Sequence, residues 1–253
     1  MKYLLISKGI TIMAKVNEQN LDIQKVEEYE EKLDDVMEII GNDLVKLMLQ
    51  KVESEYQHNT GELNKVRLGI IYHEIALNLT FFYKTEEYAG YAQKSYDVLT
   101  ELLKDAKATP ELLVFISCYQ ASSLALVSRE TKKLKLLGRA FDLFEEAINK
   151  YAYVSPRPEF MRGSVAENLP WFMLKKRKFA KIDFDSIIKK YEKNDSYADY
   201  RLLSFSYWAW ARAHNSMKYR KQALIYLDKV IEIDPMYKAG RKRAEELKNK
   251  YIK

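Results

Sequence analysis

Residues 204–235 read SFSYWAWARAHNSMKYRKQALIYLDKVIEIDP, and this stretch decides the fold. Its large residues recur at three- and four-residue steps, the spacing of one face of an α-helix. Small residues at Ala211 and Ala223 allow two antiparallel helices to approach closely. The large residues that fill the space around this contact are Tyr207, Trp210 and Leu227. The stretch therefore predicts a pair of packed helices that ends at Pro235.

The spacing of this pair resembles the 34-residue tetratricopeptide repeat at every interval. The residues that carry the resemblance are Tyr207, Trp210, Ala211, His214, Ala223, Leu227, Val230 and Pro235. Trp210-Ala211 stands where the family usually has Leu-Gly, and His214 replaces its common Tyr. Weaker copies surround Ala92, Ala140 and Ala180. The successive intervals from Ala92 through Ala140 and Ala180 to Ala223 are 48, 40 and 43 residues. Because these steps exceed 34, we expect longer helices or turns and an irregular stack.

The resemblance implies an all-α fold, in which antiparallel helix pairs stack into an irregular right-handed tetratricopeptide-like superhelix. Stacking buries the apolar faces that a single repeat leaves open, and end helices cap the stack. We predict a flexible N-terminal segment, residues 1–19, and a single helical repeat domain over 20–253. Its parts are N-terminal helices in 20–57, helix pairs in 62–107, 110–150, 157–192 and 199–234, and a capping helix in 235–253. Gly163 is the candidate small residue of the third pair.

Composition agrees with long helices joined by short turns. The chain has 253 residues, of which 47% are hydrophobic, and contains only 8 Gly and 5 Pro. No long run of alternating apolar and polar residues predicts a sheet. The single cysteine, Cys118, cannot form an intrachain disulfide, and we interpret it as a buried small hydrophobe.

The beginning of the sequence resembles an export signal for only a few residues. Lys8 and Gly9 interrupt its apolar run, and no small-residue cleavage site follows. Translation from Met13 is an alternative start. No apolar stretch approaches the ~20 residues that a membrane span requires. We therefore expect no membrane span and a cytoplasmic protein.

Charge is distributed unevenly although the net charge is only +6. Residues 27–38 carry seven acidic residues against one lysine, whereas a basic patch lies in 175–181 and further lysines and arginines lie in 238–253. The basic patch consists of Lys175, Lys176, Arg177, Lys178 and Lys181. Such polarity fits an acidic partner, or contact between the acidic part of one subunit and the basic end of another. Solvated faces of surface helices explain it equally well.

The sequence offers little for catalysis. Only three histidines are present, and no His or Cys spacing typical of a zinc site occurs. The glycines are isolated, so no phosphate-binding loop is predicted. We predict no catalytic residue, no metal site and no cofactor, and expect that the protein is not an enzyme.

A binding groove is the better candidate, because the first helix of each tetratricopeptide pair lines the concave surface. In the C-terminal pair this face presents Phe205, Trp208, Arg212 and Asn215, a plausible peptide cradle. Alternatively, Phe205 and Trp208 pack against the preceding pair. The family's carboxylate clamp does not map onto this chain, because Phe81 takes the position that corresponds to Arg212.

A second candidate surface begins in the turn that the sequence predicts at 155–158, Ser-Pro-Arg-Pro. It comprises Arg157, Glu159, Arg162, Trp171 and Phe172. Alternatively, Glu159 and Arg162 pair one helical turn apart, and the two aromatic residues cover the core.

Three functions remain open on the sequence. The favoured one is a non-catalytic scaffold or adaptor that binds a protein or peptide partner in a concave groove. A nucleic-acid binder using 175–181 and 238–253 is disfavoured, because the net charge is small for that role. A self-assembling structural protein, in which the helix predicted over Val26–Ile40 mediates homo-oligomer contacts, is the third.

Overall fold

The structure, a computed structural model, describes residues 21–39, 41–78, 80 and 86–252. The predicted flexible segment 1–19 and Phe81 lie outside these residues. Eleven α-helices, and no strands, occur in the described part of the chain, so the all-α prediction is confirmed. The helices are α1 Ile23–Leu33, α2 Asn42–His58, α3 Glu62–Asn78, α4 Tyr91–Lys104, α5 Leu113–Thr131, α6 Leu134–Tyr151, α7 Arg157–Glu167, α8 Leu174–Tyr191, α9 Tyr200–Ala213, α10 Arg220–Ile233 and α11 Arg241–Ile252.

From α2 onward, each helix packs against the next one along the chain. The odd-numbered helices also contact one another in turn, α3 with α5, α5 with α7, α7 with α9 and α9 with α11. The backbones of the even-numbered helices α4, α6, α8 and α10 do not approach one another as closely within the described residues, although the rings of Phe141 on α6 and Phe179 on α8 are 5.5 Å apart. The odd-numbered helices therefore form a continuous layer. We use the name inner face for the surface of this layer that is formed by α7 and α9.

The α9–α10 pair shows why its spacing matters. Ala211 and Ala223 are completely buried where the two helices meet. The rings of Tyr207 and Trp210 each lie 4.8 Å from the ring of Tyr226, centroid to centroid. The small residues thus bring the helices together, and the aromatic rings fill the surrounding space, as the sequence predicted.

Two glycines permit close approach elsewhere. A Cβ atom at Gly163 would lie 3.0 Å from Phe184 Cζ and 3.2 Å from Asp183 Cβ, so Gly163 lets α7 approach α8 as predicted. A Cβ atom at Gly69 would lie 2.6 Å from Leu99 Cδ2, which ties α3 to α4 in the same way. A larger residue at Gly69 would require the Leu99 side chain to shift, and one at Gly163 would require Phe184 and Asp183 to move by a few tenths of an ångström.

The helix predicted over Val26–Ile40 is wrong in its second half. Helix α1 ends at Leu33, a short 3₁₀ turn covers Asp34–Val36, and Met37 is extended. Glu38 then adopts a positive φ of 54°, which a helix does not tolerate. Helix α2 begins at Asn42 with Gly41 in the capping position, so Asp43 lies inside its first turn.

The predicted helical ranges 110–150 and 235–253 begin at Pro110 and Pro235, but both prolines lie in turns. Helix α5 begins only at Leu113, and the hydroxyl of Thr109 donates to Glu62 rather than capping it. The carboxylate of Asp234 accepts hydrogen bonds from the backbone N–H groups of Lys238, Ala239 and Arg241. This turn delays the predicted capping helix until Arg241.

Helix α11 packs against α9 and α10. Ala244 is completely buried there, and the Tyr251 hydroxyl donates to the Ala211 carbonyl oxygen at 2.8 Å. None of the helices within the described ranges is long and apolar enough to cross a membrane.

Candidate functional site

The inner face carries two parallel rows of side chains. Helix periodicity brings residues at three- and four-residue steps to one side. On α7 this row is Arg157, Phe160, Ser164 and Glu167, and on α9 it is Arg201, Phe205, Trp208 and Arg212. Three of the four residues predicted to form the peptide cradle therefore lie on the inner face. The fourth, Asn215, is exposed just beyond the end of α9.

Aromatic rings form the middle of the inner face. Phe205 lies 5.2 Å from Phe160 and 5.8 Å from Phe184, ring centroid to ring centroid. It therefore packs against the preceding helix pair, which is the alternative that the sequence left open for it. Phe205 is also 5.3 Å from Trp208, so the cluster continues along α9. Such edge-on ring contacts stabilise helix packing beyond the burial of their surface.

Trp208 is half-buried and lies between two guanidinium groups. Arg212 lies 5.1 Å from the centroid of its ring, and Arg243 of α11 lies 5.6 Å away. Both distances are within the range of cation–π attraction. One side of this arrangement is open to solvent, since Arg212 remains 45% exposed. A ligand at this end would meet an indole ring with two positive charges beside it.

Arg212 also holds a buried carboxylate. Its Nε atom lies 2.8 Å from Oε1 of Glu167, whose side chain is only 4% exposed. Burial raises the pKa of Glu167 above its usual value, although Arg212, Arg177 and Lys181 act in the opposite direction. Arg212 is therefore exposed to a ligand and also stabilises the fold, because removing it would leave the buried charge of Glu167 without its nearest partner.

The opposite end of the inner face is covered by residues 21–39, which we call the N-terminal segment. Arg157 pairs with both Glu30 and Glu38, and Arg201 pairs with Asp34. Arg157 is only 3% exposed, so its cation depends on these carboxylates for compensation. The acidic run noted in the sequence thus meets arginines of α7 and α9 in the same chain.

The N-terminal segment is also anchored to α3. Arg67 donates to both carboxylate oxygens of Asp35, at 2.6 and 2.8 Å, and to the Lys32 carbonyl oxygen at 2.8 Å. The hydrogen bonds from Arg67 hold the pKa of Asp35 below its usual value. Asn78 donates to the Ile39 carbonyl oxygen at 2.8 Å. The segment therefore runs from α3 to α9.

Apolar side chains accompany these ion pairs. Val26, Leu33 and Val36 are buried, whereas Glu27, Glu28 and Glu31 on the other side of the segment are exposed. Helix α2 packs on α3, whereas the N-terminal segment crosses the layer and reaches Arg157 of α7 and Arg201 of α9.

The second predicted surface divides into a buried and an exposed part. Arg157, Glu159 and Arg162 are buried, and each is paired inside the chain. Glu159 lies 2.8 Å from Lys190, and Arg162 donates to both carboxylate oxygens of Asp183 at 2.7 and 2.9 Å. Glu159 and Arg162 thus pair with α8 rather than with each other.

Trp171 and Phe172 form the exposed part of that surface. They are 78% and 62% exposed, so they do not cover the core. The basic patch follows them directly. Lys176 lies over the ring of Phe141 at 4.7 Å, Arg177 donates to the Leu169 carbonyl oxygen, and Lys175, Lys178 and Lys181 are exposed.

A buried polar network between α3 and α5 was not foreseen. His73 Nε2 lies 2.7 Å from Ser122 Oγ, and its Nδ1 lies 3.0 Å from Glu74 Oε1. The connectivity is that of a serine–histidine–acid triad. However, Ser122 lies in the middle of α5, where backbone N–H groups donate within the helix and are not free to bind an oxyanion. All three side chains are at least 96% buried, so we interpret the network as a link between the two helices.

Within the described ranges, no group of three or more His, Cys, Asp or Glu side chains has the arrangement needed to hold a metal ion. Comparisons with protein-family models, curated proteins and solved structures find no match to this chain. The tetratricopeptide resemblance and the single-domain organisation therefore stay predictions.

Proposed function

We propose that this chain is a non-catalytic protein–protein interaction scaffold that binds a helix or peptide of a partner protein on its inner face. In this proposal the helices form an irregular superhelix of the tetratricopeptide type, with the inner face on its concave side. The observation that carries the proposal is the N-terminal segment itself. Its carboxylates, one in α1 and two after it, already pair with Arg157 and Arg201 of the inner face.

That contact indicates the chemistry of the ligand. The N-terminal segment combines buried apolar residues with carboxylates that reach Arg157 and Arg201. A partner segment that is helical in its first part, with an apolar stripe and acidic residues, would make contacts of the same kind. The half-buried Trp208 and the exposed guanidinium of Arg212 would extend the contact beyond the part that the segment covers. Trp and Arg are the residue types that dominate binding energy at protein interfaces.

Such a partner competes with the chain's own segment. A tethered ligand acts at an effective concentration of about millimolar, so a partner must displace it or bind more tightly. Weakening the segment should therefore strengthen binding of an external helix. A peptide copy of the segment can stand in for the partner, so the competition can be measured before the partner is identified.

The test uses a fluorescent peptide with the sequence of residues 22–38, titrated onto the full chain and followed by fluorescence anisotropy. In the variant Glu30→Ala/Asp34→Ala/Glu38→Ala, the segment loses its carboxylates toward Arg157 and Arg201. We expect this variant to bind the peptide about tenfold or more tightly than the parent chain. Circular dichroism verifies that it stays folded, and Asp34→Ala alone is the milder replacement if it does not.

The matched control is Glu27→Ala/Glu28→Ala/Glu31→Ala, which removes three carboxylates from the exposed side of the same helix. It should bind the peptide as weakly as the parent chain does. Equal affinity of both triple variants, or no peptide binding by a folded Glu30/Asp34/Glu38 variant, would show that the inner face is not a helix-binding site. Dimers of the parent chain in sedimentation would instead indicate that the segment enters a second copy.

A single substitution tests the open end. Trp208→Ala in the weakened variant should reduce peptide affinity, because it removes the ring that lies beside the covered part of the face. Trp171→Ala removes a tryptophan that is 78% exposed elsewhere and should leave affinity unchanged. Arg212→Ala is less suitable, since it also disturbs the buried Glu167 carboxylate.

A further inference from the structure

One edge of the helix stack differs from the other in charge. Three connections, α5–α6, α7–α8 and α9–α10, lie in segments 131–139, 168–182 and 214–227, which we call the basic edge. These segments contain four, five and three Lys or Arg, respectively, and no Asp or Glu. The connections after α4, α6, α8 and α10, extended in the same way into the helix that follows, lie in 105–120, 152–164, 192–207 and 234–248. Together these contain nine Asp or Glu and ten Lys or Arg, so their charges nearly cancel.

Contacts between the helices bring the three basic connections to the same side. Glu167 ends α7 and pairs with Arg212 in the last turn of α9, so the turns that follow these two helices are neighbours. Phe141 and Phe179, near the beginnings of α6 and α8, lie 5.5 Å apart between ring centroids. The α5–α6 and α7–α8 turns are therefore neighbours as well.

The basic edge also carries large apolar side chains that point into solvent. Each of its three turns contributes at least one. They are Leu134 (64% exposed), Trp171 (78%), Phe172 (62%), Leu174 (70%) and Met217 (77%). Exposed apolar groups that lie together on neighbouring turns, surrounded by polar residues, mark a site of contact with another molecule or a membrane. Lys133, Lys135, Lys175, Lys178, Lys218 and Lys221 are exposed beside them.

We propose that the basic edge docks on a membrane surface that contains anionic lipids. Lysines and arginines are attracted to the negative lipid headgroups, and the aromatic and aliphatic side chains enter the boundary between headgroups and acyl chains. Trp is the side chain that favours this boundary most strongly, since its ring is apolar and its N–H is polar. The docking is peripheral. It is independent of the inner face, so it stands or falls separately from the scaffold function.

Nucleic acid fits the same surface less well. Lysines would contact phosphates, and Trp171 could stack on a base. Leu134, Leu174 and Met217, however, have no partner in a nucleic acid, whereas a bilayer provides an apolar phase for all of them. The presence of exposed aliphatic side chains in every turn therefore favours the membrane.

The experiment measures co-sedimentation of the full chain with phosphatidylcholine vesicles that contain about 30% phosphatidylglycerol, an anionic lipid. We expect binding to these vesicles and much weaker binding to phosphatidylcholine alone. Trp171→Ala/Phe172→Ala and Lys175→Glu/Lys178→Glu should each weaken partition about tenfold or more, because one removes the apolar and the other the ionic part of the contact.

The matched control lies on the opposite edge. Met236→Ala/Lys238→Glu changes one apolar residue that is 71% exposed and one lysine, as Leu174→Ala/Lys178→Glu does on the basic edge. Only the second of these variants should lose binding. Vesicles should also shift the tryptophan emission of the parent chain to shorter wavelength, and Trp171→Phe should bind but lack this shift.

Three results would overturn the proposal. The first is no binding to anionic vesicles at low salt. The second is equal binding by the variants of the two edges. The third is binding without the emission shift, which indicates surface charge alone. A mobility shift of single-stranded DNA that depends on Trp171 and Phe172, without vesicle binding, would assign the edge to nucleic acid instead.

Discussion

The two ends of the inner face use the same residue types in opposite ways. At the end that begins α7 and α9, Arg157 and Arg201 are engaged by carboxylates of the N-terminal segment. At the other end, Trp208 and Arg212 face solvent on one side. A buried cation such as Arg157 is costly unless anions compensate it. The covered end therefore shows which groups satisfy these arginines, and the open end shows which side chains remain exposed.

The largest expected effect is at the covered end. Arg157→Ala removes the fully buried cation that holds Glu30 and Glu38, and we expect the free energy of unfolding to fall by about 3–5 kcal/mol. Urea denaturation followed by circular dichroism measures it. Arg139→Ala is the control, because the pair of Arg139 with Glu146 is 57% exposed on both sides and contributes about 1 kcal/mol at most. Similar losses for the two variants would contradict the anchoring role of Arg157.

A smaller effect is expected for the second arginine of the covered end. Arg201 and Asp34 are 41% and 48% exposed, so their pair is screened by water. Arg201→Ala should lower the free energy of unfolding by about 1 kcal/mol or less, and the difference should shrink at high salt. A loss as large as that of Arg157→Ala would mean that the segment is held by Arg201 instead.

The smallest expected effect is on the pH dependence of stability, which has opposite signs for a carboxylate of the covering segment and one at the open end. Asp35, in the covering segment, has a pKa lowered by its hydrogen bonds from Arg67, whereas burial raises the pKa of Glu167 at the open end. The stability from Asp35 is therefore present above the pKa of the unfolded chain, about 4, and is lost as pH falls through the lower folded pKa. Glu167 has the opposite sign. The folded chain takes up its proton at higher pH than the unfolded chain, so acidification favours folding while its pair with Arg212 weakens.

Nuclear magnetic resonance of the side-chain carboxyl carbons measures both titrations. As pH falls from neutral, Glu167 should titrate first and Asp35 last. The reverse order would mean that the open end, and not the covered end, holds its carboxylate in ionic form.

Local sequence patterns predicted the helices well. The α9–α10 pair follows from small and aromatic residues at helical spacing, and Gly163 follows from the need for a small residue opposite α8. Where prediction failed, a side chain binds a turn or another helix. Asp234 closes a turn on three N–H groups and Thr109 binds Glu62, so α11 and α5 begin later than the ranges predicted from 235 and 110.

The candidate site was only half predictable. Phe205, Trp208 and Arg212 share one face of a single helix, so their spacing alone identifies them. The contacts of Arg157 with Glu30 and Glu38 join residues 127 and 119 positions apart. No local pattern reports such a distance. The acidic run in 27–38 and the two arginines, Arg157 and Arg201, are visible in the sequence. A single sequence does not show that they contact each other.

The single cysteine gives this part of the molecule a built-in chemical reporter. Cys118 is completely buried on α5, the charges of Arg157 and Glu30 act on its thiol, and burial raises its pKa to about 12. A thiol reacts with alkylating reagents as the thiolate, so Cys118 is protected while the surrounding structure stays closed. The rate at which Cys118 is alkylated therefore measures how often the structure around α5 opens, and no engineered probe is needed.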